Sequence, residues 1–84
     1  MNRRKLLARL ASGALQNVAF ADIADLAQGF GFGLLRQSGS HRIYAHPAIN
    51  EQLNLQDVRG EAKAYQVRQF LRLVERYNLR LEDR

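Results

Sequence analysis

GSHRIYAHP, residues 39–47, is the stretch that decides the predicted fold. It begins within a turn of small residues, Ser38-Gly39-Ser40, and continues into a strand-like segment, residues 41–46, which ends at the only proline of the chain. Residues 32–37, on the other side of the turn, also have the composition of a strand. Because so short a connection joins the two segments, we expect them to pair as antiparallel strands.

The orientation of strand 41–46 is open from the sequence. Successive side chains of a strand point to opposite faces of the sheet. The odd-numbered residues from His41 to Ala45 therefore share one face, and the even-numbered residues from Arg42 to His46 share the other. Neither set is cleanly apolar, so either face could point to the core.

The remaining segments supply one more strand and three helices. Residues 52–56 alternate polar and apolar side chains and predict a third strand. The spacing of apolar residues predicts helices over 2–11, 20–30 and 64–78, with 13–19 as a linker and 57–63 as a loop. The fold class is therefore α+β: a two-layer sandwich in which an α-β-β-β-α unit follows an additional N-terminal helix.

Each predicted helix has an apolar face that would cover the sheet or its neighbour. In the N-terminal helix, which Asn2 would cap, this face consists of Leu6, Leu7 and Leu10. In the second helix, which Gly29 and Gly31 would end, it consists of Phe20, Ile23, Leu26, Ala27 and Phe30. In the third helix it consists of Val67, Phe70, Leu71, Val74 and Tyr77.

Composition limits the classes of function. The chain has 84 residues and predicts a single domain, 1–84. It lacks cysteine, which excludes disulfides, cysteine-ligated zinc and cysteine nucleophiles. Its net charge of +5 indicates an anionic partner: nucleic acid, a membrane surface or an acidic protein. No apolar run approaches the roughly 20 residues that span a bilayer, so we expect a cytoplasmic protein without a membrane partner.

Basic residues form two groups, each with two interpretations. Arg3, Arg4 and Lys5 open the first helix, either as a frayed, solvated end or as a phosphate-contacting patch. Arg68, Arg72 and Arg76 form a row at i, i+4 and i+8, with Glu75 the one acid close by to offset it. This row is either a solvated face beside an acidic tail, Glu82-Asp83, or a stripe that faces an anion.

His41 is the candidate for chemistry. It is either a half-buried strand residue without a role or a proton-transfer group, since a histidine with an ordinary pKa of about 6.5 gives and takes protons near neutrality. RNA cleavage without a metal needs a base, an acid and cations around the phosphorane. Ser40 and Arg42 could bind the phosphate. His41 and His46 lack a carboxylate in register, so we expect no metal and no cofactor.

The stretch 39–47 resembles the Gly-Ser-His-x-x-aromatic signature of HicA-family toxins. Two later segments, Leu53-Asn54-Leu55-Gln56 and Lys63-Ala64-Tyr65-Gln66-Val67-Arg68, resemble the segments on the C-terminal side of the signature in longer members of that family. The resemblance runs over residues 17–79, and helix 2–11 is an addition to the pattern of the shortest members.

This resemblance implies a double-stranded-RNA-binding-like fold, an mRNA interferase (endoribonuclease) activity and neutralisation by a HicB-type antitoxin. It places the catalytic histidine at His41, preceded by Gly39 and Ser40. The basic residues that we expect to contact RNA alongside these two are Arg42, Lys63, Arg68 and Arg72. The alternatives are a non-catalytic RNA-binding module and an antitoxin-interaction domain on the same fold.

Overall fold

The computed structural model describes residues 1–82 and has the predicted α+β order, with one strand more than the sequence predicted. Its elements are α1 (Arg3–Ala11), α2 (Phe20–Gly29), β1 (Gly33–Ser38), β2 (His41–Ala45), β3 (Leu53–Val58), β4 (Glu61–Ala62) and α3 (Ala64–Arg76). Asp83 of the predicted acidic tail lies outside the described residues. No helix in the described range is long and apolar enough to cross a membrane.

The four strands form one antiparallel sheet in the order β1-β2-β3-β4. A two-residue turn joins β1 to β2, because Ser38 pairs directly with His41. Gly39 takes the first turn position with φ +59°, and Ser40 has no positive φ, as in a type II′ turn. The predicted antiparallel hairpin is confirmed, and its turn is one residue shorter than predicted.

The prediction of a loop over residues 57–63 is wrong. β3 continues to Val58, which pairs with Glu61 of β4 across a second two-residue turn. Both turn residues have positive φ, Arg59 at 54° and Gly60 at 86°, as a type I′ turn requires. Asp57 Oδ1 accepts a hydrogen bond from the Gly60 N–H at 2.7 Å. Gly60 is a typical residue for the second turn position, but arginine is unusual at the first, so the sequence lacks the Asn-Gly or Asp-Gly pair that marks such a hairpin.

Burial settles which face of β2 points to the core. Tyr44 is buried, as are Leu53 and Leu55 on β3, and β2–β3 register places these three side chains on the same face. α2 and α3 pack against this face. His41 and Ile43 therefore point to the opposite face, which none of the described helices covers.

The predicted apolar face is confirmed for α2 and only in part for α3. All five predicted core residues of the second helix are buried. In α3, Val67 and Phe70 are buried as predicted, but the prediction for Tyr77 is wrong: the helix ends at Arg76, and Tyr77 is 38% exposed. Leu73 takes its place in the core, which shifts the buried face toward the side of α3 that carries Gln66.

Gln66 is the one buried polar residue within the described range. Its Oε1 accepts a hydrogen bond from the Gln56 backbone N–H at 2.7 Å. β4 pairs only with Asp57 and Val58, so the outer edge of β3 at Gln56 has no strand beside it. The buried amide of Gln66 therefore satisfies a strand-edge donor that would otherwise lose its hydrogen bond to water.

The predicted N-terminal helix is confirmed, and the interpretation of its first turn, Arg3 to Lys5, as a frayed end is wrong. Asn2 caps α1, since its side chain accepts hydrogen bonds from the backbone N–H groups of Arg4 and Lys5. Leu6 and Leu10 are buried, and α1 packs against α2. The Arg3 guanidinium donates two hydrogen bonds to the Asp25 carboxylate, at 2.8 and 2.9 Å. α1 is thus an integral helix of the described fold.

α2 ends in a Schellman motif centred on Gly31, which has φ +99°. Gly31 N–H donates to Gln28 O at 2.9 Å, and Phe32 N–H donates to Ala27 O at 3.1 Å. A Cβ on Gly31 would lie 2.7 Å from His46 Nε2. Both the backbone conformation and the close approach of His46 therefore require glycine at position 31. Gly29, which was also predicted to end the helix, is its last helical residue.

We expect Gly31→Ala to lower the free energy of unfolding by at least about 1–2 kcal/mol, because alanine is strained at positive φ and its methyl group displaces His46. The matched control is Gly33→Ala, where φ is not positive and a Cβ meets nothing within 4 Å. Urea denaturation of the two variants checks the difference. Equal stabilities would show that the α2 end and the His46 ring rearrange without cost.

We also expect the Arg3–Asp25 pair to make stability depend on pH. The hydrogen bond from Arg3 lowers the pKa of Asp25 below its ordinary value of 3.8, so the pair stabilises the fold above that value and loses its contribution as the pH falls through the lowered pKa. Because the pair is exposed and screened, Asp25→Asn costs at most about 1 kcal/mol at pH 7.

Thermal unfolding between pH 7 and pH 2 tests this expectation, with Glu61→Gln as the control for removing an exposed carboxylate. The difference between wild type and Asp25→Asn should shrink in acid, whereas a constant difference would contradict the assignment.

Candidate functional site

His41 is the first residue of β2 and is exposed on the open face of the sheet. Its direct cross-strand neighbours are Ser38 on β1 and Gln56 on β3. Side chains at such positions have Cβ atoms about 4.5–5.5 Å apart. The imidazole therefore lies between a hydroxyl and an amide, and both can donate hydrogen bonds to a ligand that contacts His41.

Arg36 is a site residue that the sequence analysis missed. It pairs with Ile43 and so lies two residues along β1 from Ser38, on the face that carries His41. Diagonal neighbours of this kind are about 7–8 Å apart, within reach of a long side chain. The length of the turn decides which face of the sheet carries Arg36, because it sets the register of β1 and β2. A two-residue turn predicts Arg36 on the face of His41, whereas the three-residue turn assumed from the sequence predicts the other face.

The turn that precedes His41 leaves room for a ligand. A Cβ built on Gly39 meets nothing within 4 Å, so a substrate backbone can approach closely there. Ser40 Oγ accepts a hydrogen bond from Gln56 Nε2 at 3.4 Å, and Ser40 O accepts one from the Asp57 N–H at 3.0 Å. Gly39 and Ser40 thus lie beside His41, as the sequence predicted.

Arg42 lies on the other face of the sheet. Its guanidinium carbon is 4.6 Å from the ring centroid of Phe20, and its Nη1 is 3.9 Å from Asp57 Oδ2. Only 24% of the side chain is exposed. Arg42 packs between α2 and the sheet, so the sheet separates its guanidinium from the His41 imidazole. The cation beside His41 is Arg36, not Arg42 as the sequence predicted.

His46 has a structural role. Its Nε2 is 3.0 Å from Phe30 O, and its Nδ1 is 3.0 Å from the Ala48 N. A carbonyl oxygen only accepts and a backbone N–H only donates, so the neutral ring with its proton on Nε2 satisfies both contacts. The ring also meets the Phe32 ring edge to face, with centroids 5.2 Å apart. Both ring nitrogens are thus occupied by the fold.

The remaining predicted RNA contacts gather on α3. Arg68 and Arg72 are about one helical turn apart, and they line a surface groove of about 340 Å³ together with Glu51, Tyr65, Gln69, Leu73 and Arg76. Lys63 precedes the helix, with its Nζ 5.9 Å from the ring centroid of Tyr65. α3 packs on the face of the sheet opposite His41, so the structure forms two basic regions rather than one.

The expectation that only Glu75 offsets the arginine row is wrong. Glu51, in the loop between β2 and β3, accepts a hydrogen bond from Arg76 Nη1 at 2.9 Å and another from the Tyr77 hydroxyl. These two hydrogen bonds lower the pKa of Glu51, and the carboxylate raises the pKa of Tyr77. Arg76 is thus engaged, whereas Arg68 and Arg72 form no ion pair with any residue in the range 1–82.

Comparison with known proteins returns no match: no family model, no curated protein and no solved structure is similar to this chain. The functional assignment therefore comes from the geometry around His41, the groove on α3 and the signature in residues 39–47.

Proposed function

We propose that this protein is a metal-independent endoribonuclease that cleaves mRNA, the toxin of a HicA-type pair, with His41 as its general acid and base. The observation that carries the proposal is the position of His41. Its imidazole is exposed at a strand start, beside an open glycine turn and on a sheet face that no described helix covers. A group that must exchange protons with a polymer needs such access.

The arrangement supplies each part of a cleavage reaction. His41 accepts the proton of a ribose 2′-hydroxyl as its oxygen bonds to the adjacent phosphorus. The phosphorane that forms carries negative charge, which Arg36 neutralises and the Ser38 hydroxyl and Gln56 amide stabilise by hydrogen bonds. As the bond from phosphorus to the 5′-oxygen breaks, the protonated His41 returns its proton to that oxygen. The products are a 2′,3′-cyclic phosphate and a 5′-hydroxyl.

The order of elements supports the same proposal. The run α2-β1-β2-β3-α3 has the α-β-β-β-α order of the double-stranded-RNA-binding fold, with α1 and the two-residue β4 as additions. The resemblance of residues 39–47 to the signature of HicA-family toxins implies the same fold. In this proposal the protein partner is a HicB-type antitoxin, whose acidic groups would meet the basic surface.

A non-catalytic RNA-binding module is the second candidate. The observation that favours it is the separation of the predicted cations: Arg42 and the α3 arginines lie on the face of the sheet opposite His41. His41 is also the one histidine on the open face. On this alternative the protein holds RNA, or an acidic antitoxin, and His41 is a surface residue.

We expect His41→Gln to reduce RNA cleavage by about 10²–10⁴-fold, the usual contribution of general acid–base catalysis. Its stability should change by no more than about 0.5 kcal/mol, because His41 is exposed. Arg36→Gln should also slow cleavage, and Arg59→Gln, an exposed arginine in the β3–β4 turn, is the control for loss of charge. The measurement is cleavage of an end-labelled RNA by purified protein in EDTA, with a thermal melt of each variant.

The same experiment separates the candidates. Cleavage by folded His41→Gln at the wild-type rate would refute the role of His41. If wild type, freed of nuclease and of bound antitoxin, binds RNA without cleaving it, the binding module is the correct function.

A further inference from the structure

We infer that the groove on α3 is a binding site for single-stranded RNA, with a base stacked on Tyr65 and phosphates on Arg68 and Arg72. The inference rests on the proposed function in that RNA is the ligand, and it adds a second site remote from His41. The groove lies on the helix face of the sheet, where cleavage itself does not take place.

Tyr65 is the reason to assign a base to this groove. It is 59% exposed although it lies in the first turn of α3, and its hydroxyl is 3.4 Å from Gln66 Nε2. Gln66 is buried and bonded to β3, so the Tyr65 hydroxyl has a weak hydrogen bond to an anchored side chain. An exposed aromatic ring with Lys63 beside it offers a stacking surface and a nearby cation.

Two arginines provide the anion-binding capacity of the groove. Arg68 and Arg72 follow Tyr65 along α3, and neither has a carboxylate partner within residues 1–82. Residues 65 and 72 are about 10 Å apart along the helix axis, a distance that a few nucleotides can follow. The aromatic ring and the row of cations together match the alternation of base and phosphate in a nucleic-acid strand.

Glu51 limits this capacity. It lines the same groove and holds Arg76 and Tyr77. A phosphate can reach the Arg76 guanidinium only by competing with the carboxylate. Removal of the Glu51 charge should therefore add one cation to the site, which is a gain of binding that a merely solvated face would not show.

The exposed ring indicates a single strand rather than a duplex. In a duplex the bases are stacked on one another and are not available to an aromatic side chain, whereas single strands are recognised by stacking of splayed bases. An acidic protein segment would meet the arginines but would leave Tyr65 without a specific role.

The groove and His41 lie on opposite faces of the sheet. Gln56 pairs with His41 on one side of β3, and its backbone N–H is bonded to Gln66, next to Tyr65, on the other. β4 stops short of this point. Gln66 of α3 therefore occupies this edge of β3, between the groove and the face that carries His41.

Binding of RNA to the cleavage-impaired His41→Gln protein tests the inference without interference from cleavage. The probe is a labelled single-stranded RNA of about 12 nucleotides, compared with its blunt duplex. Tyr65→Ala should weaken single-strand binding by roughly 5- to 150-fold, the range for loss of one stacked base. Tyr65→Phe, which keeps the stacking ring but loses the hydroxyl contact with Gln66, should weaken binding less than Tyr65→Ala, and the single strand should bind more tightly than the duplex.

A salt series tests the charges. Arg72→Gln should reduce the slope of log K against log salt by about 0.7, as expected for one lost phosphate contact on a single strand. Glu51→Gln should increase affinity and raise the slope by a similar amount, because Arg76 is released. Glu61→Gln changes net charge equally but lies on β4, away from the groove, and it should leave the slope unaltered.

The outcomes separate this inference from the proposed function. If wild type cleaves RNA while Tyr65→Ala and Arg72→Gln bind as tightly as their parent, the groove is not an RNA site and the catalytic proposal stands. If wild type does not cleave but these variants weaken binding as stated, the groove is correct and the catalytic proposal fails. Equal changes in RNA affinity and salt slope for Glu51→Gln and Glu61→Gln would overturn the inference. So would binding of an acidic peptide, but not of the single-stranded RNA, to Arg68 and Arg72.

Discussion

The register of the β1–β2 hairpin is the constraint on which the rest of the structure depends. The two-residue turn pairs Ser38 with His41, and the burial of Tyr44 then orients the strand. A slip of one residue would exchange the two faces of β2, placing an imidazole in the core and the tyrosine in solvent. The same register brings Arg36 to the side of His41 and keeps Arg42 beneath α2.

A second constraint comes from the short length of β4. Since β4 pairs with only two residues of β3, the neighbouring edge of β3 needs another hydrogen-bond partner. Gln66 provides it from α3, with a polar side chain in an otherwise apolar helix face. Gln66 is buried together with Val67, Phe70 and Leu73, and Tyr65, Arg68 and Arg72 lie outside this buried set and line a common groove.

These two constraints explain which features the sequence could predict. The helices, the antiparallel hairpin and the core of α2 arise from local periodicity and turn residues, and they are present in the structure. The β3–β4 turn carries an arginine at positive φ, and the partner of Arg76 is 25 residues away in sequence. The β3–β4 turn shows only the glycine of the residue pair that usually marks such a hairpin. The partner of Arg76 has no local signal, because this contact forms only in the folded chain.

The distribution of carboxylates separates the paired arginines of the described residues from cations that have no carboxylate partner. Asp25 is bonded to Arg3, Asp57 lies near Arg42 and Glu51 is bonded to Arg76. Each of these arginines joins two elements of the fold, so its charge is neutralised within the structure. Arg36, Arg68 and Arg72 have no such partner among residues 1–82. Because an anionic ligand must compete with any carboxylate already in place, it favours these three cations over the paired ones. One of these three cations lies beside His41, and two lie in the α3 groove.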